Sequence, residues 1–241
     1  MTKPKKKLVF GIGRNDADYV VCPRGPDGKR AKCPYYRTWS HMLERCYSPA
    51  RHAHNPTYIG CSVVPGWHSF MAFKSWMETQ DWQGKHLDKD ILVPGNRTYG
   101  PDTCLFVTPA INTLLLDSAA QRGALLLGVC LDHGRYRANC RIDGHQLYFG
   151  MFNTPAEAHR AWQIAKLAAL NDAWLQEPDP RVCRALVRIA GNLLDDIDAG
   201  RETVAFGIVA DQINAVIDAA VAKARTTVSP VAAEAARRIQ A

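Results

Sequence analysis

Two short stretches and one residue decide the fold that the sequence predicts: residues 87–92 (LDKDIL), residues 99–104 (YGPDTC) and Asn112. The first predicts a strand that delivers Asp88 into a turn, the second a returning strand, and Asn112 lies in a predicted helix. One carboxylate and one amide oxygen can hold a hard cation such as Mg²⁺, with water and substrate phosphate completing the shell. Such a metal would stabilise the leaving 3′-oxygen during phosphodiester cleavage. Turn carboxylates and a helix amide that caps a loop are the structural alternative.

Helical patterns lie on both sides of this segment. Apolar residues recur at steps of three and four over residues 35–47 and 66–80, which predicts two helices with a loop at 48–59 between them. The aromatic stripe of the second helix is predicted to lie in the core, because burial of one helix face requires those steps. A further helix is predicted from residue 108 to about residue 118.

The period of the apolar pattern changes to two after Gly123, which marks a second domain. Three antiparallel strands are predicted, at residues 125–131, 135–142 and 146–152. Asp143-Gly144 is a strong hairpin turn signal. Residues 154–157 (TPAE) then combine an N-cap Thr, Pro at the first helical position and a capping-box Glu, which predicts a helix to about Trp174.

One face of the middle predicted strand carries a polar row. Strand alternation places Arg135, Arg137, Asn139 and Arg141 together, with apolar residues on the face toward the following helix. A sheet face of this kind fits the major groove of DNA, about 12 Å wide, where Arg reads guanine and Asn reads adenine. A row of solvated arginines is the alternative.

The two ends of the chain carry different signals. Residues 1–34 are turn-rich and basic, and residues 1–45 hold eleven basic and four acidic side chains, which accounts for the whole net charge of +7. A basic arm on a near-neutral body is typical of a segment that follows phosphates, although a solubilising tail has the same composition. Residues 178–241 predict amphipathic helices, at 181–199, at 204–224 and in an alanine-rich tail, without a chemical constellation.

Composition excludes several classes of protein. A hydrophobic share of 47% and a charged share of 22% are typical of a globular chain rather than a disordered one. No run approaches the ~20 apolar residues that span a bilayer, and the apolar run at residues 8–13 is too short for a signal peptide. We therefore expect a soluble cytoplasmic protein with no membrane partner.

Eight cysteines without a secretion signal predict reduced thiols rather than a disulfide framework. The strong C-x-x-C zinc spacing is absent. A structural Zn²⁺ site could still assemble on Cys46 and Cys61, with further ligands from Cys33, Cys104, His52 or His54. Burial as small core thiols is the alternative.

Most of the chain, from about residue 8 to residue 175, resembles a known family. The patterns Y-x-x-W-x-x-M-L-x-R-C-Y (36–47), W-x-x-F-x-x-F-x-x-W-M (67–77), LDKD (87–90) and Y-x-P-x-x-C-x-F-V (99–107) resemble HNH-type homing-endonuclease-like proteins of tailed bacteriophages. The resemblance implies a ββα-metal nuclease fold over residues 35–120. It also implies Mg²⁺ or another divalent metal, and cleavage or nicking of double-stranded DNA.

Within that resemblance, Asp88 matches the acidic metal ligand and Asn112 the helix-borne metal ligand. Asp102 or Thr103 falls where the family has a middle, structural asparagine. The histidine that serves as general base is replaced here by Lys89. A lysine near its reference pKa of ~10.4 is protonated at neutral pH and cannot accept a proton.

Three explanations for Lys89 are open. A bound metal lowers its pKa, or His86 or His68 supplies the base from nearby, or the nuclease is impaired and the domain only binds DNA. An ammonium beside the scissile phosphate would also stabilise charge in the transition state. Lys89, His86 and Asp90 therefore form the candidate catalytic set.

Residues 124–176 resemble a second family. The patterns G-V (128–129), R-Y-x-A (135–138) and G-x-F-x-T-x-x-E-A-x-x-A-W (150–162) resemble the APETALA-type, ethylene-response-factor-like DNA-binding domain, which phage and mobile-element proteins join to HNH nucleases. The resemblance implies a three-stranded sheet on one helix, with base and phosphate contacts from Arg135, Arg137, Arg141 and Tyr148.

These patterns predict an α+β chain with a ββα-metal domain, a three-stranded antiparallel sheet packed on a helix, and C-terminal α-helices. The expected function is a metal-dependent endonuclease acting on duplex DNA inside a bacterial host cell. The alternative is a catalytically inactive DNA-binding or regulatory protein on a degenerate HNH scaffold.

Overall fold

The computed structural model describes residues 7–116 and 122–204 and shows an α+β protein. The chain divides into two compact units, a first unit of Met1–Thr108 and a second unit of Pro109–Ala241. Each unit encloses a hydrophobic cluster of its own. Among the helices of the described residues, none is long and apolar enough to cross a membrane.

The described part of the first unit contains α-helices and two pairs of short strands. They are α1 (Pro34–Tyr47), α2 (Pro49–His54), β1 (Ser62–Val63), α3 (Phe70–Glu78), β2 (His86–Asp88), β3 (Thr98–Tyr99) and β4 (Leu105–Val107). Strand β1 pairs with β3 in parallel, and β2 pairs with β4 in antiparallel register, with Leu87 opposite Phe106. The β2–β4 pair forms a strand–loop–strand around Asp88, but the returning strand is Leu105–Val107 and not the predicted 99–104, where residues 101–103 form a turn.

Helix α1 confirms the helix predicted at residues 35–47, but the loop predicted at 48–59 is partly wrong. The hydroxyl of Ser48 accepts a hydrogen bond from the amide of Arg51, and Pro49 occupies the first helical turn, so α2 forms there. Sequence periodicity missed this helix because it has six residues and buries none of them.

The helix predicted at residues 66–80 divides into a 3₁₀ turn, Pro65–His68, and α3. The hydroxyl of Ser69 accepts from the amide of Ala72 at 3.1 Å, which starts α3 at Phe70. The aromatic stripe is confirmed as core: the rings of Trp67 and Phe73 meet edge to face with centroids 5.1 Å apart.

The segment between Val9 and Cys33 packs on the core of the first unit rather than forming a separate basic arm. Ala17 and Val21 are buried in that core. The carboxylate of Asp16 accepts from the hydroxyl of Ser69 at 2.6 Å and from the amide of Met71 at 3.0 Å, at the start of α3. The lysines at positions 3, 5 and 6 lie outside the described residues.

The second unit begins with a helix and continues with a sheet and two long helices. Its described elements are α4 (Pro109–Leu114), β5 (Val129–Asp132), β6 (Arg135–Ile142), β7 (His145–Phe152), α5 (Pro155–Gln176) and α6 (Pro180–Asp198). The sheet is antiparallel with β6 in the middle, as the sequence predicts. Helix α4 is shorter than predicted, and residues 117 and 118 lie outside the described residues.

Both hairpin turns of the sheet place two residues at positive φ. His133 and Gly134 have φ of 48° and 79°, and Asp143 and Gly144 have φ of 49° and 80°. Two central residues at positive φ match the right-handed twist of the strands they join. Ala138 of β6 pairs with Gly150 of β7 but the next residue, Asn139, pairs with Tyr148, which leaves Phe149 as the extra residue of a β-bulge in β7.

Helix α5 packs on the sheet through a very close approach at Gly128. A Cβ at that position would lie 1.9 Å from Cδ1 of Trp162, so the site accepts no side chain. The predicted capping box is confirmed, because Thr154 and Glu157 each bond the other's amide. Val129, Ala138 and Ala158 form the buried cluster between sheet and helix.

Helix α5 is buried on a second side as well, where α6 and residues 201–204 pack. Its buried polar residues bind that segment: Gln163 donates to the carbonyl of Arg201, and His159 accepts from the amide of Thr203. The helix predicted at 181–199 is confirmed as α6. The helices predicted at 204–224 and in the tail lie outside the described residues.

Candidate functional site

Asp88 ends strand β2 and organises the turn that follows. Its Oδ1 accepts from the amides of Asp90 at 2.9 Å and Ile91 at 2.8 Å. Burial, and then the neighbouring carboxylate of Asp90, raise the pKa of Asp88, although both turn amides oppose this shift. Asp88 therefore has the structural role of a turn carboxylate, which the sequence gave as the alternative. A cation bound here would also relieve the repulsion between the carboxylates of Asp88 and Asp90.

His86 stands two residues before Asp88 on the same strand. Side chains two apart point to the same side of a strand, and the buried Leu87 between them points to the other. His86 is exposed, and it lines an open groove along α1. His68 is differently placed, since its Nε2 is 3.0 Å from the carbonyl oxygen of Val63. Of the two histidines that the sequence nominated as base, His86 is the one beside Asp88.

Lys89 is held by the loop itself. Its Nζ donates to Oδ2 of Asp90 at 2.8 Å and to the carbonyl of Asn96 at 3.1 Å, and it lies 5.9 Å from the centroid of the Tyr99 ring. Only 11% of the side chain is exposed. In this arrangement Nζ of Lys89 is a hydrogen-bond donor to two acceptors within its own loop. Asp90 serves as the counter-ion of this lysine.

Asn96 closes the loop between β2 and β3. Its Nδ2 donates to the carbonyls of Lys89 at 2.6 Å and Thr98 at 2.8 Å, and its Oδ1 accepts from the amide of Thr98 at 3.1 Å. The resemblance had placed a structural asparagine at Asp102 or Thr103 instead. Asp102 lies exposed in a turn, and Thr103 adds one bond to the carbonyl of Thr98. An asparagine next to Pro-Gly was the available signal for Asn96.

The two predicted metal ligands belong to different units. Asp88 is in the first unit, and Asn112 is half-buried on α4 in the second. The described residues hold no group of three or more His, Cys, Asp or Glu side chains able to bind a metal ion. Within the first unit, the neighbouring carboxylates of Asp88 and Asp90 are ligands that suit a hard cation.

The candidate zinc residues Cys46 and Cys61 are both buried in the core of the first unit, as is Cys104. Burial raises the pKa of Cys46 to about 12 and that of Cys104 to about 12, which disfavours the thiolate form that zinc binds. His52, another candidate ligand, is 2.9 Å from the carbonyl oxygen of Arg45 through its Nε2. These contacts are those of packed core thiols and a hydrogen-bonded histidine.

The polar row of the sheet lies on one face of β6, as predicted. Ala138 and Cys140 are buried between its members. Each arginine is oriented by a local bond: Arg137 pairs with Asp132 at 3.0 Å, Arg135 donates to the carbonyl of Met151, and Arg141 donates to that of Gly144. The guanidinium groups are thereby held at the surface of the sheet rather than in its core.

Strand β7 extends this polar face. Tyr148 is 56% exposed and lies directly opposite Asn139, and Gln146 lies opposite Arg141. Nε2 of Gln146 donates to Oδ1 of Asn139 at 2.5 Å, and Nδ2 of Asn139 lies 3.2 Å from Sγ of Cys130. Sequence analysis missed Gln146, although the two-residue Asp143-Gly144 turn places it opposite Arg141; the bulge at Phe149 changes the pairing only beyond Tyr148.

Comparison of the chain with protein-family models, curated proteins and solved structures finds no match. Both family resemblances therefore rest on the residues that carry them.

Proposed function

We propose that this chain is a metal-dependent endonuclease that cleaves or nicks duplex DNA, with an HNH-like ββα-metal site and a sheet that holds the DNA. One observation carries the proposal. The antiparallel β2–β4 pair ends at Asp88, with exposed His86 on the same side of the strand and a clamped loop following it. This is the order of strand, loop and strand that such a nuclease requires.

The proposed chemistry assigns one role to each side chain. A bound divalent cation such as Mg²⁺ would supply positive charge at the leaving 3′-oxygen. Asp88 would hold that cation, with water and the substrate phosphate completing its shell. His86 would take the proton of the attacking water, because it is exposed and can accept one in its neutral form.

Lys89 then has a positioning role. Its bonds to Asp90 and Asn96 keep the turn after Asp88 in one conformation. A preorganised turn fixes the direction of the Asp88 carboxylate, which lowers the entropy cost of reaching the reactive geometry. The replacement of the expected histidine by lysine is compatible with cleavage under this proposal, since the base comes from His86.

The sheet of the second unit would supply DNA binding. Its exposed face presents Arg135, Arg137, Arg141, Asn139 and Tyr148. Arginine and asparagine are the side chains that read guanine and adenine in the major groove, and arginine also binds phosphates. Orientation of each guanidinium by a local hydrogen bond reduces the entropy lost when DNA binds.

The decisive experiment is plasmid relaxation with Mg²⁺ or Mn²⁺ against EDTA, using the wild type and Asp88→Asn. We expect metal-dependent relaxation by the wild type and its loss in Asp88→Asn, with duplex binding in EDTA unchanged. Asp102→Asn is the matched control, because it removes an exposed turn carboxylate of the same segment without a proposed role. Equal cleavage by Asp88→Asn and the wild type would reject the site.

A second function is favoured by one specific contact. The engagement of Lys89 with Asp90 and Asn96 is also what a degenerate nuclease that only binds DNA would show. On that proposal, plasmid stays intact with every metal, while a salt-sensitive gel shift persists and is weakened by Arg141→Ala. The plasmid and gel-shift measurements on the same preparation separate the two functions.

A further inference from the structure

A strongly basic groove runs along α1 of the first unit. Its walls come from α1, from α2 and from the start of β2. Basic and histidine side chains dominate the lining: Arg37, His41, Arg45, Arg51, Lys85 and His86. Glu44 is the acidic side chain among the lining residues.

The groove depends on a four-residue spacing of basic side chains in α1, which a count of charges does not show. Arg37, His41 and Arg45 recur every four residues, which places them along one stripe of α1, away from the buried Trp39 and Met42. At 1.5 Å per residue, the row is about 12 Å long. Because a duplex rises 3.4 Å per base pair, a row of that length matches roughly three to four base-pair steps.

Two of these cations are available to a ligand. Arg37 and Arg51 are exposed, and no carboxylate of the described chain lies within 4.0 Å of either guanidinium. Lys85 differs, because its Nζ pairs with Asp81 at 2.6 Å. The groove therefore presents unneutralised positive charge mainly at its α1 and α2 walls.

Arg45 forms the inner part of the groove. Its guanidinium carbon lies 5.4 Å from the Tyr99 ring centroid and 5.8 Å from that of Tyr58, and its Nε has no hydrogen-bond partner among the described residues. Burial, and then nearby cations including Arg45 and Arg37, lower the pKa of His41 against the opposing effect of Glu44. An anion in the groove would relieve this concentration of like charge.

We propose that the groove binds the phosphate backbone of duplex DNA and leads it to His86 and Asp88. The substrate in this proposal rests on the proposed function. Charge complementarity supports it, and so does continuity, since His86 is both a wall of the groove and a neighbour of Asp88 on β2. Backbone contacts of this kind set the position of a duplex without reading its sequence.

The test is a salt titration of DNA binding in EDTA, by fluorescence anisotropy with a labelled duplex of random sequence. The variant Arg37→Ala/Arg51→Ala removes two exposed cations of the groove. We expect about 60-fold weaker binding at 0.1 M salt and a log–log salt slope reduced by roughly 1.8, the effect of two lost phosphate contacts.

The matched control is Lys29→Ala/Arg30→Ala, which lowers the net charge of the chain equally, at exposed positions of the same unit. An equal loss in both variants would mean that overall charge rather than the groove binds DNA, and would overturn the proposal. Unchanged binding by the groove variant would also overturn it. A loss for anionic lipid vesicles but not for duplex would assign the groove to a different partner.

Failure of the groove and failure of the nuclease give different results. Because binding is measured in EDTA, the groove proposal stands or falls without cleavage. If Arg37→Ala/Arg51→Ala loses DNA binding while the wild type never cuts plasmid, the groove proposal is supported and the endonuclease proposal is rejected. If Asp88→Asn loses cleavage while the groove variant binds DNA as the wild type does, the endonuclease proposal is supported and the groove proposal is rejected.

Discussion

Lys89 and Asn96, seven positions apart in the loop between β2 and β3, bind each other reciprocally. Nζ of Lys89 donates to the carbonyl oxygen of Asn96 at 3.1 Å, and Nδ2 of Asn96 donates to the carbonyl oxygen of Lys89 at 2.6 Å. Each side chain thus provides a hydrogen-bond donor to the backbone carbonyl of the other residue. The residue in the position of the expected catalytic base is part of the scaffold that shapes the turn after Asp88.

Replacing Asn96 should destabilise the first unit. Asn96→Ala removes two donated bonds and one accepted bond, and at about 1 kcal/mol each we expect a loss of roughly 2–3 kcal/mol. Urea unfolding, monitored through amide hydrogen exchange of first-unit residues, measures this loss in the free energy of unfolding. Asn96→Asp keeps an acceptor for the Thr98 amide but sets its other oxygen against the carbonyl oxygens of Lys89 and Thr98, so it should not restore wild-type stability. Equal stability of Asn96→Ala and the wild type would contradict the clamp.

Lys89 and His86 should differ in their effect on cleavage. Removing a general base lowers the rate by about 10²- to 10⁴-fold, so we expect that loss for His86→Ala. Lys89→Met should reduce cleavage by less than about tenfold, since it alters the loop and not the base. Single-turnover cleavage of supercoiled plasmid compares them directly. The opposite order would make Lys89 the catalytic group.

A matched pair of glycines tests the packing of α5 on the sheet. Gly128 and Gly134 have φ of +74° and +79°, but a Cβ meets the Trp162 ring at Gly128 and nothing within 4 Å at Gly134. Gly134→Ala should cost about 1–2 kcal/mol for its backbone conformation alone. Gly128→Ala should cost about 2 kcal/mol more for the clash. Chemical denaturation of both variants gives the difference, and a difference near zero would reject the close approach.

The second unit should lose stability in mild acid through His159. The amide of Thr203 donates to Nε2 of His159 at 3.0 Å, so that nitrogen carries no proton, and Nδ1–H donates to the carbonyl of Leu127 at 2.8 Å. Burial lowers the pKa of His159 from 6.5, although the Leu127 carbonyl opposes this shift. The unfolded chain therefore binds the proton more readily, and stability falls as the pH drops below 6.5 toward the folded pKa.

The protection factor of the Thr203 amide against hydrogen exchange measures this effect locally. A local probe is needed because the pKa of His41, in the first unit, is lowered as well. Wild-type protection should decrease from about pH 7.5 to about pH 5. His159→Phe should show weaker protection that does not change over the same range, and a wild-type profile equally flat would contradict the assignment.

Several elements were predictable because neighbouring residues determine them. The capping box of Thr154 and Glu157 and the Asp143-Gly144 turn are local interactions, and both appear where the sequence places them. Alternation with a period of two likewise predicts the one-sided row of β6. The short helix α2 escaped detection because it buries no residue, and burial is what produces a periodic pattern.

The candidate site could be predicted only in part. The strand that carries His86 and Asp88 was expected, yet the roles within the loop depend on which side chain reaches which carbonyl. Asn96 is seven residues from Lys89, and neither composition nor spacing reveals that the two exchange hydrogen bonds. The structure therefore adds a loop contact of Lys89 that the sequence did not reveal.

The sequence by itself determined the strands of the sheet, the long helices and the polar row on β6, because propensity, periodicity and capping act over a few residues. Only the tertiary structure decided which distant charges converge. Arg37 and Arg51 line one groove with His86 because α1, α2 and β2 pack together, and the basic segment after Val9 joins that same unit through its buried apolar residues. Burial of apolar surface is non-directional, so the partners that it selects emerge only when the whole unit folds.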